Sequence, residues 1–317
     1  MRIWHNILKT LVVLTVSWCA LGQSAQAQTG NDQRPGSVLF YNIYTSSSTN
    51  PSAVNTQVSI TNTSPDTDIH VHLFFVDGFT CQVADSFLFL TRNQTMQFLA
   101  SDIDPDVKGY IVAVAVNLQG LPTQHNFLIG SLTVKLTLGP TTNTTHSSQL
   151  TAVAFVKNNS LAPTVSADGV TADLVFDGNA SGSSYEQLPS EVAIDNFESP
   201  ATADTRLIIY SPKSSFYAGG DTGGRLFIIF YDDQEAGFSA MVGLNCWLQA
   251  RLTTIRNITT RVIAGHTGWA RFTGTRDTTA IPLLGSVIQA SDFYGGHNLH
   301  HLKAYPSYTI TIPVFAP

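Results

Sequence analysis

Apolar and polar residues alternate along most of the chain beyond residue 36, in short runs that turn-forming residues separate. In the run TQVSITN, Val58 and Ile60 alternate with polar residues, the period of two that indicates a half-buried strand. Two other runs, 110–116 (YIVAVAV) and 225–231 (RLFIIFY), are apolar on both faces, which predicts central strands buried between layers. Helical periodicity of useful length is missing, so the pattern predicts an all-β protein.

This patterning predicts strands in both halves of the chain. The predicted strands are 37–44, 56–62, 69–76, 83–90, 95–99, 110–116, 127–138, 150–156, 171–176, 191–196, 206–210, 225–231, 238–252, 260–264, 268–273, 283–290 and 308–315. Their spacing of about 8–12 residues is typical of sandwiches and barrels. Because a strand must bury its apolar face against a second sheet, we predict two tandem, mostly antiparallel β-sandwich domains at 37–164 and 165–317. A single larger multi-sheet domain is the alternative.

The N-terminus is predicted to be a signal peptide at 1–27. Arg2 and Lys9 make a positive region before an apolar core at 11–21, which is shorter than the about 20 residues that span a bilayer. Small residues at 25 and 27 then supply a cleavage site, and the polar segment 28–36 is predicted to be a flexible leader. We therefore expect export to the periplasm, cell surface or medium, with no later transmembrane span.

The amino-acid composition narrows the classes of binding partner. Charged residues make up 12% of the chain, about half the usual share, and hydroxyl and amide side chains fill many polar positions. The formal net charge of −6 becomes about −8 once Arg2 and Lys9 leave with the leader. An acidic surface without basic clusters argues against nucleic acid and anionic membranes. We expect an extracellular polymer or a protein as the partner.

Two of the three cysteines, Cys81 and Cys246, lie beyond the leader, one in each half. An oxidising compartment would permit a disulfide between them. Burial as two unpaired, small apolar residues is the alternative. Cys19 would leave with the leader, and a lipid attached there is disfavoured by the bulky Trp18 before it.

Histidines supply the main candidates for metal ligands. His70 and His72 are expected on the same face of one strand, about 7 Å apart at Cα, where they could share zinc or copper with a third ligand such as Asp68. A solvated face of the strand is the competing interpretation.

His297, His300 and His301 are concentrated in one short segment, GHNLHH. A helical turn would place His297 and His301 on one side, whereas an extended chain would separate His297 from the other two. The His-Glu-x-x-His motif of zinc peptidases is missing. The alternatives are a metal or ligand site and a loop stabilised by hydrogen bonds to its backbone.

Asp102, Asp104 and Asp106 alternate along the chain as carboxylates do in calcium loops. Val107 and Ala113 stand where an EF-hand needs glycine and glutamate, so an EF-hand is excluded. A looser calcium turn and a simple Asx turn at Asp102 both remain.

Motifs for covalent catalysis are missing, including the Gly-x-Ser-x-Gly elbow. We therefore assign no catalytic residue, and we favour a protein that is not an enzyme. Trp247 and Trp269 either stack on a sugar ring or pack in the core, and core packing is favoured.

Several segments resemble a group of uncharacterised exported bacterial proteins. They are LFFVDG at 73–78, FLASDID at 98–104, GYIVAVAVN at 109–117, HNFLIG at 125–130 and GHNLHHL at 296–302. The resemblance covers most of the chain beyond the leader and implies no activity.

We expect a non-catalytic, exported binding protein with an adhesion-like or scaffold role. The second hypothesis is a secreted metal-dependent hydrolase or metal-binding protein that uses His70, His72 and the histidines of 297–301. The third is a fibre subunit that assembles by strand exchange.

Overall fold

The computed structural model describes residues 29–138, 144–218, 223–290 and 294–317. The predicted signal peptide lies outside these residues. The fold is all-β as predicted, with 56% strand and 3% helix. Among the described residues, helical structure includes a 3-10 turn at Ala100–Asp102 and helix α1 at Leu252–Ile255. No helix in this part of the chain is long and apolar enough to cross a membrane.

The strands that lie before residue 156 form two antiparallel sheets. They are β1 Val38–Thr45, β2 Thr56–Asn62, β3 Ile69–Asp77, β4 Val83–Leu90, β5 Thr95–Leu99, β6 Lys108–Val116, β7 Leu128–Leu138, β8 Thr144–Thr151 and β9 Val153–Phe155. Sheet I has the order β4-β3-β6-β1-β9, and sheet II has the order β5-β2-β7-β8.

The later strands form three sheets. They are β10 Thr171–Phe176, β11 Ser184–Tyr185, β12 Pro189–Glu198, β13 Asp204–Tyr210, β14 Gly224–Asp232, β15 Gly237–Leu244, β16 Leu248–Arg251, β17 Thr267–Arg276, β18 Thr279–Ile281, β19 Leu284–Ala290, β20 Tyr294–Asn298, β21 His300–Ala304 and β22 Tyr308–Pro313. Sheet III has the order β11-β10-β22, sheet IV has β15-β14-β17-β12-β21 with β18 beside β17, and sheet V has β16-β13-β19-β20.

The five sheets take a propeller-like arrangement, which corrects the two tandem β-sandwiches that we predicted. The blades are irregular, because they hold between three and six strands, whereas a regular propeller blade has four. The physical reason lies in β1, which is buried on both faces and so needs cover on both sides of sheet I. The second half supplies part of that cover, because Phe40 of β1 meets Phe176 of β10 with ring centroids 6.1 Å apart.

A buried polar junction also joins the two halves. The side-chain amide of Asn42 on β1 donates to the carbonyl of Gly285 at 2.8 Å and to Oδ1 of Asn298 at 2.9 Å. The hydroxyl of Tyr210 donates to Oδ1 of Asn42 at 2.8 Å, and the Tyr210 ring stacks on Tyr110 at 4.0 Å. The junction therefore fixes sheet I against sheet V.

The structure places Cys81 and Cys246 in a disulfide, with their Cα atoms 5.5 Å apart and 165 positions apart in sequence. It lies beside Trp247, whose buried indole donates to the carbonyl of Asn42 at 3.1 Å. Trp247 therefore packs in the core. Trp269 is half-buried and stacks on Tyr231 at 4.3 Å.

The two central strands predicted from their apolar faces have different outcomes. Residues 110–116 are buried throughout, as predicted. In β14, burial alternates along the strand and Phe227 is 37% exposed. One face of β14 lies on the side of sheet IV that is partly open to solvent. The apolar residues on that face are therefore only partly buried or exposed.

Three strand predictions need correction. The strands predicted at 127–138 and 150–156 leave out residues 144–149, which belong to β8, because β-branched threonines there suit a strand paired with β7. The predicted strand at 238–252 is interrupted between β15 and β16, and residues 260–264 lie in turns.

Candidate functional site

An open cleft of about 520 Å³ lies where residues 29–33 meet β12, β20 and β21. Its volume falls within the about 300–1,000 Å³ of typical small-ligand sites. Polar side chains form much of its wall, including the amides of Asn31 and Gln33, the carboxylates of Asp32 and Asp195 and three imidazoles. The cleft therefore offers both hydrogen-bond donors and acceptors.

Residues 29–36 are here called the N-terminal strap, and residues 29–33 of it form one wall of the cleft. The sequence predicted a flexible leader here, and the structure gives these residues partners in both halves. Thr29 bridges to Gln187, and Asn31 bridges to Ala154. Gly30 packs so tightly that an added Cβ would lie 2.4 Å from the ring of Phe155.

An ion pair between a half-buried arginine and a buried glutamate holds the strap in place. The guanidinium of Arg34 pairs with the carboxylate of Glu186, whose side chain is 2% exposed. The other carboxylate oxygen of Glu186 accepts from the backbone N–H of Val156 at 2.9 Å. Such paired and hydrogen-bonded charges are the kind that tolerate burial.

The chain turns sharply between His297 and His300. His297 lies opposite Val287 in sheet V, whereas His300 lies opposite Ala193 in sheet IV. Leu299 between the two strands is buried and anchors the turn. Because the chain passes from one sheet to another, the two imidazoles converge with ring centroids 5.7 Å apart, whereas a continuous strand would place them on opposite faces.

Asp195 on β12 completes a cluster that sequence reasoning missed. Its Oδ1 lies 3.6 Å from Nε2 of His297, and its Oδ2 lies 3.4 Å from Nε2 of His300. The ladder between β12 and β17 shifts register between Ile194 and Phe197, next to Asp195. The ligand atoms of the three side chains all lie within 4.8 Å of one another, and all three side chains are exposed.

Hydrogen bonds orient one of the histidines. Nδ1 of His297 lies 2.9 Å from the carbonyl oxygen of Asn298. A carbonyl only accepts, so Nδ1 carries a proton, and in the neutral ring Nε2 then holds the lone pair. The side chain of Asn298 is itself fixed, because its amide donates to Oδ2 of Asp32 at 2.9 Å and its Oδ1 accepts from Asn42.

His301 lines the cleft but lies outside this cluster. Burial lowers the pKa of His301 to about 4, and a hydrogen bond with the backbone of Gly30 and the charge of Asp32 oppose that shift only in part. His301 is therefore a neutral hydrogen-bonding group at pH 7.

His70 and His72 lie elsewhere, on β3 of sheet I. His72 is fully buried, stacks on Phe87 at 4.0 Å and places Nε2 2.9 Å from Oδ2 of Asp85. Burial lowers the pKa of His72, and the hydrogen bond with Asp85 opposes the shift. In the described residues, the one group of three candidate ligands does not include either histidine.

The face of β3 that carries these histidines is covered around His72, whereas His70 near one end of the strand is half-buried. Phe216 packs on Phe74 with ring centroids 4.8 Å apart, and Phe315 lies 6.2 Å from the ring of His72. Both covering residues come from the second half of the chain, which alternation within β3 could not reveal.

The three aspartates considered for calcium have separate partners. Asp102 accepts from the backbone N–H of Leu99 at 3.3 Å, and Asp104 accepts from the hydroxyl of Tyr44. Asp106 accepts from the backbone N–H of Ser48 at 2.8 Å. Asp102 stabilises a local turn, whereas Asp104 and Asp106 hold the segment that contains Tyr44 and Ser48. The three carboxylates do not form a group of candidate ligands among the described residues.

Comparisons with known proteins give little about function. No protein-family model and no curated protein matches this sequence. Among solved structures, "Thermotoga maritima 1070" shares 12% identity and a TM-score of 0.26, covering 38% of this chain and 92% of that chain. A Pleurotus ostreatus lectin in complex with GalNAc has 12% identity and a TM-score of 0.17, and the match covers 91% of this chain and 82% of that chain. The CupB6 tip adhesin of Pseudomonas aeruginosa has 8% identity and a TM-score of 0.14, and the match covers 86% of this chain and 93% of that chain. Similarity this low carries no argument about activity.

Proposed function

We propose that this protein is an exported, non-catalytic binding protein that holds a neutral, hydroxyl-rich polymer, such as an extracellular polysaccharide, in the cleft beside the N-terminal strap. The observation that carries the proposal is the cleft itself, about 520 Å³ in volume and lined by amide, carboxylate and imidazole groups. These groups both donate and accept hydrogen bonds, as recognition of sugar hydroxyls requires.

The wall of the cleft suits a binding role, because hydrogen-bonding side chains form much of it. The strap and four strands, β9, β12, β20 and β21, from three sheets contribute to the wall, and such elements position groups more precisely than free loops. An adhesion-like or scaffold role uses such a site without turnover.

The test measures binding of neutral oligosaccharides to the protein from residue 28 onward. Hexasaccharides of glucose, galactose, mannose and N-acetylglucosamine serve as probes in isothermal titration calorimetry. We expect at least one to bind, with affinity reduced 10-fold or more by Gln33→Ala, because Gln33 is an exposed residue of the cleft wall.

The matched control is Gln57→Ala, which removes an exposed glutamine from β2 of sheet II. It should leave binding unchanged. Failure of every probe to bind, or equal loss in the two variants, would contradict a polysaccharide site in the cleft.

A metal-dependent hydrolase is the second candidate, and the cluster of Asp195, His297 and His300 favours it. Catalytic zinc sites use three protein ligands and leave one position for water. The zinc-loaded protein should therefore be assayed with p-nitrophenyl acetate and p-nitrophenyl phosphate. Turnover that disappears in His297→Ala would identify an enzyme and replace the non-catalytic proposal.

A further inference from the structure

We propose that Asp195, His297 and His300 form a binding site for one divalent metal ion, with zinc the best chemical match. The site lies in the wall of the cleft, so its role in ligand recognition rests on the proposed function above. Binding of the ion itself needs no polymer, which allows the two proposals to fail separately.

The distances in the cluster match those between the ligands of a metal better than those of hydrogen bonds. Oxygen and nitrogen atoms bind zinc at about 2.0–2.1 Å, which places neighbouring ligand atoms of a tetrahedron about 3.3 Å apart. The carboxylate of Asp195 lies 3.6 Å from His297 and 3.4 Å from His300. Hydrogen bonds between nitrogen and oxygen are shorter, at about 2.7–3.2 Å.

The donor atoms suit zinc in kind as well as in spacing. Two imidazole nitrogens and one carboxylate oxygen are common zinc ligands. Each imidazole turns its Nε2 toward a different oxygen of the same carboxylate. The three ligand atoms lie within 4.8 Å of one another, so they need to draw only slightly closer to bind one cation.

The surroundings of His297 are those of a metal ligand. Ligating histidines almost always donate their other ring N–H to a carbonyl, carboxylate or water. Nδ1 of His297 donates to the carbonyl of Asn298, so in the neutral ring the lone pair of Nε2 faces Asp195. Asn298 is anchored in turn by Asn42 and Asp32, so the orientation of the ring depends on buried contacts.

The competing interpretation is a surface ion pair between Asp195 and protonated histidines, which would contribute about 1 kcal/mol or less. It requires no metal. The rest of the surface offers a control for it, because His266 and Asp233 form a comparable half-exposed pair with Nδ1 and Oδ2 2.6 Å apart. That pair has a hydrogen-bonding distance and belongs to no group of three ligands among the described residues.

The experiment titrates zinc chloride into tag-free, metal-stripped protein by calorimetry, with metal content after dialysis measured by mass spectrometry. We expect one zinc per chain, and at least a 100-fold loss of affinity in His297→Ala and in His300→Ala. Asp195→Asn should weaken binding at least 10-fold. Exposure of all three side chains should leave folding unchanged, which circular dichroism verifies.

His266→Ala and His70→Ala are the matched controls and should retain zinc binding. Failure of the unchanged protein to bind stoichiometric zinc, or loss of zinc in either control but not in His297→Ala, would overturn the metal site. Zinc binding without polysaccharide binding would support the metal site and reject the proposed function. Polysaccharide binding without zinc binding would support the proposed function and reject the metal site.

Discussion

Replacing Asn42 with alanine should strongly weaken the junction between the two halves of the chain. Asn42 is 2% exposed, and its amide donates to Gly285, Ser286 and Asn298 at 2.8–3.0 Å. Its Oδ1 accepts from the buried hydroxyl of Tyr210 at 2.8 Å. The substitution removes every one of these bonds.

The magnitude follows from what each partner loses. The two amide hydrogens and the one acceptor represent about three hydrogen bonds, each with a net contribution of about 1 kcal/mol. The hydroxyl of Tyr210 loses its acceptor in a fully buried position, which costs a further 1–3 kcal/mol or so. The free energy of unfolding should therefore fall by about 4–6 kcal/mol, a large share of the 5–15 kcal/mol typical of folded proteins.

Urea unfolding monitored by tryptophan fluorescence measures this change, with the exposed Asn196→Ala as control. Tyr210→Phe should cost about 1–2 kcal/mol by itself. The double variant with Asn42→Ala should cost less than the sum by about 1–2 kcal/mol, because no hydroxyl is then left without an acceptor. A cost of Asn42→Ala below about 1 kcal/mol, or strict additivity, would refute the polar junction.

Three further changes test other parts of the structure. Changing Cys81 and Cys246 to serine should lower the free energy of unfolding by up to about 5 kcal/mol, because the disulfide closes a loop of 165 residues. Urea unfolding with and without reductant measures this loss. Burial lowers the pKa of His72, so the unfolded chain binds a proton more readily than the folded protein does. The free energy of unfolding should therefore fall as pH drops below about 6.5. Melting temperatures measured across this pH range should fall less steeply in His72→Phe. Gly30→Ala should displace the N-terminal strap, because the new Cβ would meet the ring of Phe155, and faster amide exchange confined to residues 29–36 would report it.

Strand positions could be predicted from the sequence because period-two alternation is local. Val58 and Ile60 are buried and Gln57 is exposed, as the pattern indicates. The relation between sheets could not be predicted in the same way. Nevertheless, β1 gives a signal in retrospect, because VLFYNIYT has bulky residues on both faces and is buried throughout.

The candidate site was predictable only in part, because it depends on contacts between distant strands. The histidines at 297 and 300 were singled out by their density, but their convergence requires the turn at Leu299 from sheet V to sheet IV. Asp195 gave no signal at all, since it is one acidic residue in a strand about 100 positions earlier. The sequence also grouped His301 with them, and the structure places it outside the cluster.

Anomalous X-ray scattering at the zinc edge, from crystals of the zinc-loaded protein, tests the metal site in the cleft most directly. We predict one strong peak about 2.0–2.2 Å from a carboxylate oxygen of Asp195 and from Nε2 of His297 and His300. A peak at His70, at His266 or elsewhere, with none between these three side chains, would contradict the account.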